Sequence, residues 1–113
     1  MIDHAVILEA KLAKMFPDAA VRVQIENELN RYGLEKYERE RTRVQLAILK
    51  VAGISFEQIK KWTDIAKQDY RDVLASAEYP NQLTAPTWRF TAPERKAIED
   101  KDAEQYRRWI EEK

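Results

Sequence analysis

The amino-acid sequence predicts an all-α fold: a small single-domain bundle of five or six helices, spanning residues 1–113, with tight corners at Gly33 and Gly53. Apolar residues recur at intervals of three and four, the period of an amphipathic helix, and no segment alternates as a half-buried strand does. Only two glycines and four prolines occur, and they lie between the periodic stretches. They therefore mark helix boundaries.

The first two predicted helices are separated by Pro17. Asp3 is a suitable N-cap for a helix that ends near Phe16, and Asp18 is one for a second helix that ends before Gly33. Each helix carries an apolar stripe that should face a common core. The stripes consist of Ala5, Leu8, Leu12 and Met15 in the first helix and Val21, Ile25, Leu29 and Tyr32 in the second.

The third predicted helix runs from about Leu34 to Ala52. Its first half is mostly charged, with alternating signs that suit a solvated helix face supported by ion pairs one turn apart. Tyr37 begins the apolar stripe, which Val44 and Ile48 continue.

A tight corner follows this helix. Gly53 can take the left-handed conformation that closes a helix, and Ile54 can fold back onto the last turn. Leu34 has the same relation to Gly33. Ser55 and Gln58 have the spacing of a capping box, so the next helix begins at once.

Residues 56–79 keep one helical phase, which is compatible with one long helix or with two. Asp69 and Asp72 suit a fresh N-terminus, because acidic side chains at a cap and in the first turn favour the helix dipole. The pattern leaves both alternatives open, and the same face is buried in either.

The end of the chain is predicted to be an irregular connector and a helix. Pro80 begins the connector, which covers about residues 80–91, and Thr91 and Glu94 then form the cap of the last helix. The predicted core draws on every helix. It consists of Leu12, Ile25, Val44, Ile48, Ile59, Trp62, Val73, Leu74 and Trp109.

The composition makes several function classes improbable. Twenty basic and twenty acidic side chains cancel, which removes the long-range attraction to phosphate on which most sequence-independent nucleic-acid binders depend. Cysteine is absent, so disulfides and thiolate chemistry are excluded. The N-terminus lacks a basic start followed by an apolar run, and no stretch approaches the ~20 apolar residues of a membrane span. We expect a cytoplasmic protein without membrane contact.

Candidate catalytic groups are few. His4 is the only histidine and has no partner histidine for a metal site, so a surface or half-covered side chain is the simpler interpretation. The common nucleophile and phosphate-loop motifs are missing. The sequence therefore predicts no cofactor, no metal and no catalytic residue.

Two pairs of charged residues have an alternative interpretation. Asp69 and Asp72 share a helix face and could act as an acid and base pair in an unrecognised enzyme, although capping explains both. Arg41 and Asp102 each fall where a stripe predicts an apolar residue, so the two could form a shielded ion pair. Otherwise Arg41 reaches solvent, and Asp102 lies at a stripe edge or caps a short helix.

The corner at residues 48–66 also partly fits a DNA-reading helix-turn-helix. Gly53, Ile59 and Trp62 comply with the motif, whereas Leu49 occupies the position of a small residue. This alternative predicts weak nucleic-acid binding by a basic surface. Its residues would be Lys50, Lys60, Lys61 and Lys67.

Three segments resemble parts of small uncharacterised bacterial all-α proteins: Ala-Ile-Leu-Lys at 47–50, Asp-Tyr-Arg-Asp-Val-Leu at 69–74 and Ala-Glu-Tyr-Pro at 77–80. The resemblance covers about half the chain. It implies a bacterial origin and helical structure, and it brings no activity or site.

The leading functional prediction is a non-enzymatic interaction module, because amphipathic helices and aromatics are present without catalytic groups. Its partner would be a second copy of the chain or another cytoplasmic protein, with nucleic acid less favoured. Trp88, Arg89 and Phe90 in the connector are residue types that dominate interfaces and are candidates for partner binding. They could instead cover the domain's own core.

Overall fold

A computed structural model describes residues 3–84 and 90–112, and within them every regular element is an α-helix. The all-α prediction is confirmed for these residues, but their number of helices is seven rather than five or six. The additional helix lies in the predicted connector. The seven are α1 (His4–Met15), α2 (Ala19–Leu29), α3 (Arg41–Ala52), α4 (Phe56–Gln68), α5 (Tyr70–Glu78), α6 (Pro80–Thr84) and α7 (Ala92–Glu111).

Four predicted N-caps are confirmed. The carboxylates of Asp3 and Asp18 each accept hydrogen bonds from two backbone amides in the first turns of α1 and α2. The hydroxyls of Ser55 and Thr91 each accept one, at 3.3 Å, at the starts of α4 and α7. Because each cap satisfies amides that have no partner inside the helix, these boundaries follow from local sequence.

The predicted start of the third helix at Leu34 is wrong, because α3 begins at Arg41. In the intervening turn the buried Glu38 carboxylate accepts the backbone N–H groups of residues 33–35 at 2.9, 3.0 and 3.2 Å. Glu40 then takes a left-handed conformation with φ 56°. Tyr37, which the helical pattern placed on the apolar stripe, is exposed. The turn that these hydrogen bonds to Glu38 stabilise takes the place of the predicted first half of the helix.

Residues 56–79 form two helices, which resolves the alternative that the sequence left open. Asp69 is extended, with φ −158°, and ends α4 while its carboxylate accepts the backbone N–H of Arg71 at 3.1 Å in α5. The predicted role of Asp69 as a cap is confirmed. Asp72 lies in the first turn of α5.

The core is built around α3, which packs against α1, α4 and α5. Every predicted core residue is buried except Trp62 and Trp109, which are half-buried and pack against the edge of the core. Indole rings are too large to be enclosed easily in a domain of this size, so edge positions are reasonable for both.

Buried polar side chains join helix ends to one another. Gln45 of α3 donates to the carbonyls of Leu29 and Tyr32, at 3.0 and 3.2 Å, which closes the end of α2. Lys11 of α1 donates to the carbonyl of Glu112 at 3.0 Å and lies 4.5 Å from the ring centre of Trp109. These contacts fix where α2 ends and hold the end of α7 against α1.

Candidate functional site

The Gly53 corner borders an open apolar groove. We define the corner groove by Phe16, Val21, Ile54 and Phe56, which together with Ile25 line a cavity of about 270 Å³. Phe16 and Ile25 are buried beneath it, whereas Val21, Ile54 and Phe56 are exposed. The end of α1, the start of α2 and the turn before α4 thus bring three exposed apolar side chains together.

The exposure of Ile54 corrects a prediction. Gly53 has a positive φ of 68°, as expected at a helix stop, but its ψ of −141° lies outside the left-handed helical region. Ile54 does not fold back onto α3 and is 73% exposed. Leu34, after Gly33, is also 73% exposed, so the expected hydrophobic contact is wrong at both corners.

The corner groove is almost uncharged. Among the described residues that line it, Asp18 alone carries a charge. Its carboxylate is already occupied by the backbone amides of Ala20 and Val21, at 2.9 and 3.2 Å. The groove therefore offers mainly apolar contact, and the Asp18 carboxylate is the charged group that it would bring into an interface.

A second cavity, of about 560 Å³, lies between α3, α5 and α7, and we call it the interhelical cleft. At its wall Arg43 donates to both carboxylate oxygens of Glu78, from Nε at 2.7 Å and from a terminal nitrogen at 2.5 Å. These hydrogen bonds hold the pKa of Arg43 above its ordinary value. The two-point geometry fixes the orientation of both groups and joins α3 to the end of α5.

Asp102 of α7 also lines the interhelical cleft and is 1% exposed. Its oxygens accept the backbone N–H groups of Asn81 and Gln82, both at 2.9 Å, so it caps α6 from another helix. Arg41 is exposed and donates to Asn30 at 2.8 Å. The Arg41–Asp102 ion pair, one of the two interpretations that the sequence left open, is therefore wrong. The other agrees with the structure, because Arg41 reaches solvent and Asp102 caps a short helix.

Tyr106 is the least satisfied residue of the cleft. Its side chain is 8% exposed, and its hydroxyl has no hydrogen-bond partner among the described residues. Burial raises the pKa of the Tyr106 hydroxyl, and the nearby Glu78 carboxylate raises it further, so the group stays protonated. A buried hydroxyl without a partner costs about 1–3 kcal/mol of stability.

The four corner lysines do not form one free basic surface. Lys67 donates to Glu38 at 2.9 Å and to the carbonyl of Arg31 at 2.8 Å. Lys50 is half-buried, and its burial lowers the pKa of its ammonium group. Lys60 and Lys61 are exposed on α4. Nucleic-acid binding at this corner stays a prediction. Of the four lysines that it needs, Lys67 is already paired and Lys50 is half-buried.

Asp69 and Asp72 do not converge on a common site. Asp69 pairs with Arg71, whose Nε lies 2.9 Å from Oδ1, and this hydrogen bond lowers the pKa of Asp69. Asp72 is exposed in the first turn of α5 and does not line the shallow depression beside Asp69. The alternative in which Asp69 and Asp72 act as an acid and base pair stays a prediction, and the two carboxylates do not line the same pocket.

The predicted partner-binding connector is described only at its ends. Trp88 and Arg89 lie outside the described residues. Phe90 is half-buried, and its carbonyl accepts a hydrogen bond from Arg95 at 3.2 Å. The described start of the connector, at residues 80–84, is helical rather than irregular.

Sequence reasoning missed both cavities. Arg43 looked like part of a solvated face, yet it precedes the buried Leu46 and Ala47 by three and four residues, a spacing that could have placed it at the core edge. Glu78 and Tyr106 gave no local signal, because their positions in the cleft depend on how α5 and α7 meet. His4 is half-buried at the rim of the interhelical cleft.

The described residues show neither a metal-binding cluster nor a membrane-spanning helix. They contain no group of three or more histidine, aspartate and glutamate side chains arranged to hold a metal ion. None of their helices combines the length and apolar character that crossing a bilayer requires.

No protein-family model, curated protein or solved structure matched this chain in our comparisons.

Proposed function

We propose that this chain is a non-enzymatic interaction module that self-associates through the corner groove. The observation that supports it is the exposure of Val21, Ile54 and Phe56 around one mainly apolar depression. Single exposed apolar side chains are normal on a protein surface, but a cluster around a groove is typical of an interaction site.

The apolar contact would supply the free energy of association. Covering an apolar side chain of this size contributes roughly 1.5–3 kcal/mol when it passes from full exposure to full burial. The three side chains of the groove are only partly exposed, so each of them, in each of the two chains, would contribute a fraction of that free energy. We expect a small and reversible interface, with a Kd on the order of 10–100 µM.

A second copy of the chain is the occupant that the groove favours. Ile54 protrudes beside a depression floored by Phe16 and Ile25, so a projection and a recess lie next to each other. A two-fold axis that relates two copies of the chain at this surface would place each Ile54 in the partner's recess. Among the described residues, only Asp18 brings a charge to the groove, so few like charges would meet across a two-fold axis.

The test is the oligomeric state of two matched variants. Ile54→Glu places a charge in the corner groove, and Leu34→Glu places one at an equally exposed apolar side chain outside it. Sedimentation velocity and light scattering over 5–500 µM (about two decades around the expected Kd) should show a monomer–dimer equilibrium for the original chain and for Leu34→Glu. Ile54→Glu should remain monomeric.

Other outcomes would contradict the proposal. A monomer at every concentration would exclude self-association, and equal weakening by both glutamate variants would exclude the corner groove as the interface. Capture of a different host protein by the original monomeric chain, lost in Ile54→Glu, would retain the groove as a docking surface and replace the second copy as its occupant.

A further inference from the structure

We infer that the chain binds a free α-amino acid with an apolar side chain in a cavity between α1, α2 and α3. We call this cavity the three-helix pocket and define it by Leu8 and Leu12 of α1, Leu29 of α2, and Thr42 and Gln45 of α3. Its volume is about 290 Å³, close to the lower end of the range of small-molecule pockets. It shares no lining residue with the corner groove, so the inference does not depend on self-association.

Gln45 offers a free hydrogen-bond acceptor to this pocket. The residue is 4% exposed, and its amide nitrogen donates to the carbonyls of Leu29 and Tyr32 and to Oδ1 of Asn30. Its oxygen, Oε1, accepts no hydrogen bond among the described residues. Oε1 is nevertheless accessible, because among these residues the Tyr106 hydroxyl is the one fully enclosed side-chain polar atom without a partner. An amide held by its nitrogen, with its oxygen accessible, is suited to accept an N–H group of a ligand.

Two carboxylates of the pocket suit an ammonium group. Glu9 and Glu26 line the cavity, and neither forms an ion pair or a hydrogen bond with another described residue. Glu26 is half-buried, so a charge beside it is less screened than one on the open surface. Together with Oε1 of Gln45, these groups can accept the N–H donors of an amine.

The start of α3 supplies the opposite polarity. Glu40, at the N-cap, makes no side-chain hydrogen bond to this helix, and the first turn contains no acidic residue. The amides of such an uncapped N-terminus favour an anion. The Thr42 hydroxyl of the same turn also lacks a partner among the described residues, and the Arg41 guanidinium donates to Asn30, another lining residue, at 2.8 Å. These groups suit a carboxylate.

The floor of the pocket is apolar. Leu8, Leu12 and Leu29 line it and are each at most 8% exposed, so they can pack against an aliphatic side chain. A simple cation would leave the donors of α3 unused, and a simple anion would be repelled by Glu9 and Glu26. An amino acid with an apolar side chain satisfies all three kinds of surface in one molecule.

The probe is L-leucine, and each of two control compounds lacks one of its charged groups. The carboxylate is absent from 3-methylbutylamine, and the amino group is absent from 4-methylpentanoate. Two-dimensional NMR titrations of the full chain at pH 7 and low salt should give a Kd of about 1 mM for leucine, and binding at least about tenfold weaker for either control. The side-chain amide signal of Gln45 should shift with leucine, because its oxygen accepts an N–H of the ligand.

Variants locate the two polar contacts. Glu26→Gln removes a charge that faces the ammonium group and should weaken leucine binding about fivefold. Thr42→Val keeps the shape of the side chain, removes the hydroxyl and should weaken binding about threefold. Glu57→Gln is the control, because Glu57 is exposed on α4 and does not line the pocket.

Four results would overturn the inference: no leucine binding at 10 mM, about ten times the expected Kd; a control compound that binds as tightly as leucine; leucine binding that leaves the Gln45 side-chain signal unshifted; or equal leucine binding by the original chain and Glu26→Gln. Ile54→Glu should bind leucine normally, which separates failure of the three-helix pocket from failure of the corner groove.

Discussion

The Lys67 ammonium group lies 2.9 Å from Oε2 of Glu38, and this ion pair joins α4 to the turn between α2 and α3. The Glu38 side chain is almost fully enclosed, and its other oxygen receives the three amides of residues 33–35. Four donors therefore surround one buried carboxylate. This arrangement makes Lys67 a structural residue, which reduces the positive charge available at the corner.

Replacing Glu38 should destabilise the fold strongly. Glu38→Gln turns an amide group toward Lys67 and leaves a partly buried ammonium without its counter-charge, which costs roughly 3 kcal/mol for a buried pair broken on one side. Urea unfolding at pH 7 should show this loss. Glu35→Gln, an exposed change in the same turn, should stay within about 0.5 kcal/mol. Equal stability of both variants would contradict the structural role of Glu38.

Acid should weaken the same interaction. Burial would raise the pKa of Glu38, but hydrogen bonds from Lys67 and the backbone outweigh it and lower the pKa. A carboxylate with a lowered folded-state pKa stabilises the protein above its unfolded-state pKa, near 4.5, and loses this contribution as the pH falls through the folded-state value. The stability difference between the original chain and Glu38→Gln should thus be constant above about pH 5.5 and shrink below about pH 4. A difference that stays constant from pH 5.5 down to the acid unfolding of the original chain would contradict this origin.

The predicted N-caps were right because their cause is local. The caps at Asp3, Asp18, Ser55 and Thr91 use donors within three residues, so a short pattern contains the whole interaction. The middle of each core stripe follows for the same reason, because a helix of known phase can bury only one face, whereas Ala5 and Val21, which the stripes also placed toward the core, are exposed.

Predictions failed where a side chain acts at a distance. Residues 34–40 have the alternating charge of a helix, yet Glu38 forms its ion pair with Lys67, 29 positions away. Asp102 caps α6 from 20 and 21 residues further along the chain. Such contacts depend on the packing of α4 and α7, which periodicity does not encode. The interhelical cleft was missed for this reason.

Removing the Asp102 carboxylate should loosen α6 selectively. Asp102→Ala leaves the amides of Asn81 and Gln82 without these acceptors and should cost about 2–3 kcal/mol. Hydrogen exchange should speed up at these two amides more than in α3. Asp100→Ala removes only an exposed pair with Lys96 and should leave exchange unchanged. Uniform acceleration across all helices would indicate global destabilisation instead of a local cap.

Gly33→Ala should destabilise the α2–α3 turn through two separable effects. The φ of 106° is strained for any residue with a side chain, and the added Cβ would lie 2.6 Å from Cγ and Cδ of Arg41. We expect a loss of about 1–3 kcal/mol in urea unfolding. Because Arg41 is exposed, Arg41→Ala in the same chain should recover the steric part and leave the backbone part. Gly53→Ala is the matched control: its φ is also positive, but no atom lies within 4 Å of the added Cβ, so Arg41→Ala should not relieve its loss. An identical response of both glycine variants to Arg41→Ala would show that the close approach at Gly33 carries no cost.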